Sequence, residues 1–262
     1  MDGANLKLRN DDETCHDHDG LHHGLQGIDL DGRSRLALMA AAKHVDAKQP
    51  IFYQGDAADT LYEVLSGAVK LYKLLPDGRR LVTGFFFAGD IIGLSLRETY
   101  AYTAEAITDA GLRPISRSRL ERVMHDNPGM AKRLLECASD ELEQAHEQMV
   151  LLGRKTPVEK VCSFLLAIAR RQSGDRDIAD RNGHDSRTAG VRLPMPRADI
   201  ADYLGLTVET VCRVLSRLKR EGLITVSHAR DIGLVDMEGL AAYADGDEPL
   251  TAAPVERMAL AG

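Results

Sequence analysis

Apolar positions along this chain change their period three times, and each period marks a different unit. Between residues 50 and 107 the runs Pro50 to Tyr53, Thr60 to Ser66, Ala68 to Leu75, Arg80 to Phe87 and Thr103 to Ile107 are rich in β-branched and aromatic residues. Such runs predict short strands, and Gly55-Asp56, Ser66-Gly67, Pro76-Asp77-Gly78 and Gly89-Asp90 supply the turns between them. Many short strands in so little chain predict a small antiparallel barrel or roll. A short helix over Ser34 to Val45, with Leu36, Leu38, Met39, Ala42 and Val45 as its apolar positions, is expected to lead into it.

The second period belongs to a long helix. Asn127 followed by Pro128 is a cap with proline at the first helical position. Ala131, Leu135, Ala138, Leu142, Ala145, Met149 and Leu152 then alternate four and three residues apart, with Glu and Gln between them. This is the spacing of a coiled-coil seam. A helix packed on its own roll would also bury such a stripe, but strict alternation over three heptads favours pairing with a second copy of the chain. Gly153 is expected to end the helix. Thr156-Pro157 opens another, buried through Val158, Val161, Cys162, Leu165, Leu166 and Ile168. Gln172 to Gly190, rich in Asp, Arg, Gly and Asn, predicts an exposed loop.

The third unit is the stretch MPRADIADYLGLTVETVCRVLSRLKREG, residues 195 to 222. Arg197 to Leu204 groups Ile200, Ala201 and Leu204 on one face, and Gly205 allows the tight bend that two crossing helices need. Thr207 is a good N-cap for a second helix running to about Glu221, stopped by Gly222. In that helix Val208, Val211, Leu215 and Leu218 form the expected buried stripe, while Glu209, Cys212, Arg213, Ser216, Arg217 and Arg220 face the other way. An outward face with one acceptor and several forked donors suits the major groove of DNA, although a solvated helix face with charge pairs has the same composition. LITVSHARDIGLVD alternates around Ala229-Arg230-Asp231 as a hairpin wing would, with His228 and Arg230 available to phosphates. The fold class expected is α+β: an N-terminal antiparallel β-roll, a long dimerisation helix and a C-terminal winged helix-turn-helix. The expected divisions are an arm over 1–27, the roll over 28–116, the dimerisation helix over 117–152, the DNA-binding unit over 153–238 and a tail over 239–262 that is disordered at its end.

Composition sharpens this in one respect. The net charge of −7 looks wrong for a DNA binder. Residues 153–238, however, hold 15 Lys and Arg against 12 Asp and Glu, a balance of +3, and the remainder carries −10. Cys15, Cys137, Cys162 and Cys212 are far apart and show no C-x-x-C spacing, which fits free thiols in a reducing cytoplasm. The polar, acidic start predicts no signal peptide, and no apolar run is long enough for a membrane span. Enzyme motifs are missing: Val150 stands where the second metal ligand after His146-Glu147 would be, and Ser95 lacks flanking glycines.

LGLTVETVCRVLSRL resembles the DNA-binding motif of the CRP/FNR superfamily of bacterial transcription factors, and most closely its FNR/FixK branch. YQGDAADTLYEVLSGAVKLYKLLPDGRRLVTGFFFAGDIIG resembles the superfamily's cyclic-nucleotide-binding-like β-roll, so the likeness covers nearly the whole chain. The branch carries Glu, Ser and Arg on its recognition helix, matching Glu209, Cys212 and Arg213, with cysteine in place of serine. The resemblance implies a homodimer on double-stranded DNA at a TTGAT-N4-ATCAA palindrome, RNA polymerase as a further partner, and control of low-oxygen or nitrogen-oxide metabolism. Glu209 would then accept from cytosine N4 and Arg213 donate to guanine O6 and N7, while Thr207, Thr210, Arg217 and Arg220 hold phosphates. Oxidation of Cys212 would add bulk and negative charge at that face and brake binding; alternatively the cysteine only stands in for serine.

The arm holds Cys15, His16, His18, His22 and His23, but a single cysteine there falls short of the thiolate set that oxygen sensors of this family use for an iron–sulfur cluster. In cyclic-AMP-binding relatives a Gly-Glu pair and an Arg-Ser pair grip the nucleotide. Here Gly93 is followed by Leu94, and Arg97 is the nearby cation, which argues against that ligand. No cofactor and no metal are expected. A regulator gated by haem, nitric oxide or a metabolite through the roll or arm stays open at this point, and a nucleotide-binding module or enzyme is the reading from another class.

Overall fold

The structure is a computed structural model that describes residues 40–95, 97–179, 189–228 and 231–247, with the backbone alone for residues 133, 173–179, 189 and 228. Eight strands form the N-terminal roll: β1 (Lys43–Val45), β2 (Pro50–Phe52), β3 (Thr60–Ser66), β4 (Val69–Leu74), β5 (Arg80–Phe86), β6 (Ile91–Ile92), β7 (Thr103–Ala106) and β8 (Ala110–Ser116). They pair antiparallel into two sheets, β1-β8-β3-β6 and β2-β7-β4-β5. Each strand turns alternate residues inward. Val45, Phe52, Val64, Val69, Ile92, Ala104 and Leu112 therefore meet in one core between the sheets. At the β3–β4 turn Gly67 has φ +85°, and a Cβ there would stand 2.3 Å from the Asp109 carbonyl oxygen. Only glycine fits that approach.

The five runs read as strands are strands, and the sequence pattern missed β1, β6 and β8. The expected helix over Ser34 to Val45 is corrected where it is described: Lys43–Val45 is extended and pairs with β8, Lys43 opposite Leu112. Three residues with one inward valine carry too little periodicity to separate strand from helix. Residues 34–39 lie outside the described residues.

Helix α1 (Arg117–Asp126) follows the roll, and α2 (Pro128–Arg154) follows α1. The expected dimerisation segment 117–152 is thus two helices, broken at Asn127, which is extended at φ −135° and caps α2 by accepting from the Met130 amide. Met130 and Leu134 bury one edge of α2 against Leu61 and Ile115 of the roll and Leu120 and Val123 of α1. At 27 residues α2 is about 40 Å long. Gly153 does not end it; the helix closes one residue later, at Arg154.

Helix α3 (Pro157–Ala179) runs well into the stretch expected to be a loop. A helix nucleated by the apolar turns around Val161 and Leu165 gains one hydrogen bond per added residue, so polar composition alone does not stop it. Residues 180–188 lie outside the described residues. Then come β9 (Ala189–Arg192), α4 (Arg197–Leu204), α5 (Val208–Arg220), β10 (Ile224–His228), β11 (Asp231–Leu234) and α6 (Met237–Asp245). The wing has three strands, ordered β10-β11-β9, where the sequence pattern gave a hairpin. The tail expected from residue 239 is corrected at its start. Asp236 caps α6 through the Gly239 amide, and Leu240, Tyr243 and Ala244 are buried. Small residues hid that helix from a reading based on large apolar positions. The arm 1–27 and residues 248–262 lie outside the described residues.

Candidate nucleic-acid interface

Two helices and the turn between them build the site. Helix α4 buries Ile200, Ala201 and Leu204, and Gly205 ends it in the left-handed region at φ 62°, ψ 39°. Its amide and that of Leu206 both return to the Ala201 carbonyl. The turn is closed from the other side by α2, since a Cβ on Gly205 would stand 3.2 Å from Leu152 Cδ2. Thr207 then caps α5, its Oγ1 accepting from the Thr210 amide at 3.1 Å while the two hydroxyls lie 2.9 Å apart.

Helix α5 has the two faces the sequence pattern called for, with one exchange. Val211, Val214, Leu215 and Leu218 are its buried residues. Val208, expected in that stripe, is 45% exposed, and Val214 takes the fourth place. Val208 is the first helical residue, so its side chain projects back past the N-terminus of α5 rather than onto the core. Glu209, Cys212, Arg213, Ser216 and Arg220 are all exposed, and Thr210 is half-buried. The Ser216 hydroxyl donates to the Cys212 carbonyl at 2.8 Å, leaving its oxygen lone pairs outward.

Arg217 is engaged within the protomer. Its Nε donates to Glu221 Oε1 at 2.8 Å, its Nη2 lies 3.3 Å from the Tyr243 hydroxyl, and its guanidinium sits 5.5 Å over the Tyr243 ring. Tyr243 in turn donates to Glu221 Oε2 at 2.9 Å. Burial would raise the Glu221 carboxyl, but the hydrogen bonds from Arg217 and Tyr243 outweigh it and hold that pKa below the usual value. The Arg217 guanidinium is pushed up, chiefly by its hydrogen bond with Glu221. The trio braces α5 against α6. Because the small residues of α6 carry no large apolar pattern, nothing in the sequence points to this role.

The cysteines separate by environment. Cys162 is fully buried between α3 and its neighbours, and burial pushes its thiol up to about 12. Cys137 is half-buried and Cys212 exposed. Burial lowers the pKa of Arg197, at the start of α4, and the electrostatic influence of Cys212 opposes it only in part. Cys15, its neighbouring histidines and Arg230 lie outside the described residues, as does the side chain of His228.

The seam residues of α2 do not all share one fate. Leu135, Leu142 and Met149 are 69%, 58% and 61% exposed, and Ala138 and Ala145 are exposed beside them. Leu152 is half-buried against the turn at Gly205. The stripe left bare therefore runs from Leu135 to Met149. Between α2 and the roll, Phe86, Ile91, Leu94, Cys137 and Glu141 line a cleft of about 30 Å³, room for a water molecule. Inside the roll, Tyr100 stacks on Phe52 at 3.8 Å and its hydroxyl donates to the Thr60 carbonyl. Among the described residues no helix is long and apolar enough to cross a membrane.

Known proteins align with both halves. Residues 42–127 match the cyclic nucleotide-binding domain family and residues 159–243 the Crp-like helix-turn-helix domain family. The chain is 39% identical over 202 residues to the nitrogen fixation regulation protein FixK of Bradyrhizobium diazoefficiens, covering 76% of this chain and 81% of that one. It is 38% identical over 201 residues to the transcriptional activator protein FnrL of Cereibacter sphaeroides, covering 77% and 79%. The structure of FixK2 from Bradyrhizobium japonicum superposes with a TM-score of 0.71 at 37% identity, over 79% of this chain and 98% of that one.

Proposed function

This chain belongs to the CRP/FNR family of transcription regulators, and we propose that it acts in the cytoplasm as a homodimeric activator on a TTGAT-N4-ATCAA palindrome. It is a regulator rather than an enzyme. The observation that carries the finer reading is α5 itself: a helix buried along Val211, Val214, Leu215 and Leu218 that leaves Glu209, Cys212, Arg213, Ser216 and Arg220 bare on its far side. Glu209 accepts from cytosine N4, and Arg213 donates two bonds to guanine O6 and N7 of the same pair. Val208, bare at the helix start, meets a thymine methyl. Thr207, Thr210 and Arg220 hold phosphates, while Arg217 keeps α5 at its angle through Glu221 and Tyr243.

A palindrome requires a two-fold protein, and the stripe from Leu135 to Met149 is the surface we assign to the partner copy. Leucine and methionine left more than half exposed on a helix of about 40 Å would be covered by the same stripe of a second chain. Recruitment of RNA polymerase and control of low-oxygen or nitrogen-oxide metabolism belong to this reading through the family resemblance, and the relatives named for nitrogen fixation regulation and for transcriptional activation agree with it. Oxidation of Cys212 reduces DNA binding in this reading, because its side chain stands exposed between the two base-reading residues.

The test is binding of purified, reduced, full-length protein to a labelled TTGAT-N4-ATCAA duplex, with and without cyclic AMP. Tight binding that depends on both half-sites and ignores the nucleotide is expected. Binding only after a ligand is added would overturn the ungated reading.

A further inference from the structure

The roll and the DNA-binding unit are tied by charged side chains that contribute to neither core. Lys70 on β4 reaches both carboxylate oxygens of Asp199 on α4, at 3.0 and 2.9 Å, and also Glu105 on β7 at 3.0 Å. Arg80 on β5 bridges Asp199 Oδ1 and Asp202 Oδ2 through Nη2, at 2.8 Å each, and adds an Nε bond to Asp202 at 2.9 Å. The side chains of Lys70 and Asp199 are 5% and 3% exposed. Tyr72 roofs the group, its ring centre 5.8 Å from the lysine nitrogen and 5.5 Å from the Arg80 guanidinium.

Burying ions in this way is a poor means of adding stability, since desolvation consumes most of the attraction. What ion pairs supply and apolar contact does not is direction. Phe85 of the roll packs on Phe164 and Tyr203 at 6.1 and 5.3 Å, a contact that tolerates sliding. Asp199 and Asp202 are three apart on one face of α4, so a rotation or a shift of that helix breaks every pair that crosses to it from the roll at once. Two further struts agree with this register. Gln148 of α2 donates to the carbonyls of Val82 on the roll and Tyr203 on α4, and Arg171 of α3 reaches Asp90 at 2.6 Å and the Phe85 carbonyl at 2.9 Å. The reading helix follows α4 through Gly205 without a flexible linker, so fixing α4 on the roll fixes α5.

We propose that the cluster of Lys70, Arg80, Glu105, Asp199 and Asp202 is a positioning device that sets the separation and angle of the two recognition helices, making the protein selective for the length of the spacer between half-sites. The inference rests on the dimer-on-palindrome reading above. One extra base pair turns the second half-site by about 35° and moves it about 3.4 Å, which a clamped head cannot follow.

Asp202→Arg places two cations face to face at the outer, partly exposed end of the cluster, and Arg80→Asp combined with Asp202→Arg restores the pair in reverse. With full-length protein and duplexes carrying spacers of three, four, five and six base pairs, the wild type is expected to lose about a hundredfold in affinity off the four-base-pair spacer. Asp202→Arg should narrow that loss to less than about tenfold while keeping its affinity for a single half-site, and the reversed pair should restore the wild-type profile. An unchanged spacer profile in Asp202→Arg overturns the proposal. Calorimetry without DNA is the second readout: one transition is expected for the wild type and the reversed pair, and two for Asp202→Arg. Should the wild type bind none of the duplexes, the DNA reading falls, and a single transition in Asp202→Arg would then overturn the clamp on its own.

Discussion

The guanidinium of Arg217 lies across the ring of Tyr243, 5.5 Å from its centre, and both side chains end on the carboxylate of Glu221. This joins the end of the recognition helix to α6. Tyr243→Phe keeps the ring contact and removes the hydroxyl, which should lower stability by about 1 kcal/mol. Urea unfolding followed by circular dichroism is expected to show a lower midpoint with an unchanged slope. The brace is also pH-dependent. The folded-state carboxyl of Glu221 lies below its unfolded value, so its contribution is fully present above about pH 4.3 and is lost as pH falls through the depressed folded pKa. Between neutral pH and that point the difference between wild type and Tyr243→Phe should hold steady, and it should shrink below it.

On the reading face, residues with the same exposure should behave differently because they meet different parts of the duplex. Arg213→Ala and Glu209→Ala are each expected to weaken binding by about 1–3 kcal/mol per half-site and to relax the preference for the G·C pair. Arg220→Ala should weaken binding to all duplexes about equally and lower the salt slope by about one per half-site. Val208→Ser should leave stability within about 0.5 kcal/mol and relax the preference for thymine at the outer positions. Val214→Ala, in the core, should cost about 2 kcal/mol of stability without altering base preference. Competition binding against single-base variants of the palindrome, paired with thermal melts, separates the two valines. Equal base preference in wild type and Val208→Ser would show that the exposed valine does not read the duplex.

That exchange of valines also shows what was legible in the chain. Period and turn chemistry located α4, α5, the Thr207 cap, the Gly205 bend and five of the strands, because each depends on neighbours in sequence. Whether Val208 or Val214 is covered depends on what else folds back over α5, and a helical period cannot report that. Lys70 and Asp199 are 129 positions apart, and alone each looks like an ordinary surface charge. Likewise Arg217 falls in pattern among the DNA-facing arginines, because its partner Tyr243 sits on a helix made largely of small residues. Contacts between distant elements are the part that local pattern leaves out.

The bare stripe on α2 makes a prediction about assembly. Leu142 is 58% exposed, lies midway along the stripe and belongs to none of the protomer's cores, so Leu142→Glu leaves those cores intact. Two copies facing each other would bring a pair of carboxylates together across the seam. Sedimentation equilibrium should show a dimer for wild type and a monomer for Leu142→Glu, with palindrome binding reduced to that of a single half-site. A dimeric Leu142→Glu protein would place the interface elsewhere.

Cys212 is set on the reading face between Glu209 and Arg213, while Cys162 is sealed in the core and its thiol is held up near 12 by burial. Peroxide should therefore act at the former and spare the latter. A sulfinate or sulfonate at 212 adds a negative charge where phosphates approach. Cys212→Ser preserves a small polar side chain and removes the oxidisable sulfur. It should bind the palindrome as the reduced wild type does and keep that affinity after peroxide, whereas the wild type loses at least about tenfold. Mass spectrometry of the treated wild type should find the added oxygens on the peptide containing Cys212. If Cys212→Ser remains as sensitive to peroxide as the wild type, the cysteine stands in for serine only and the brake lies elsewhere.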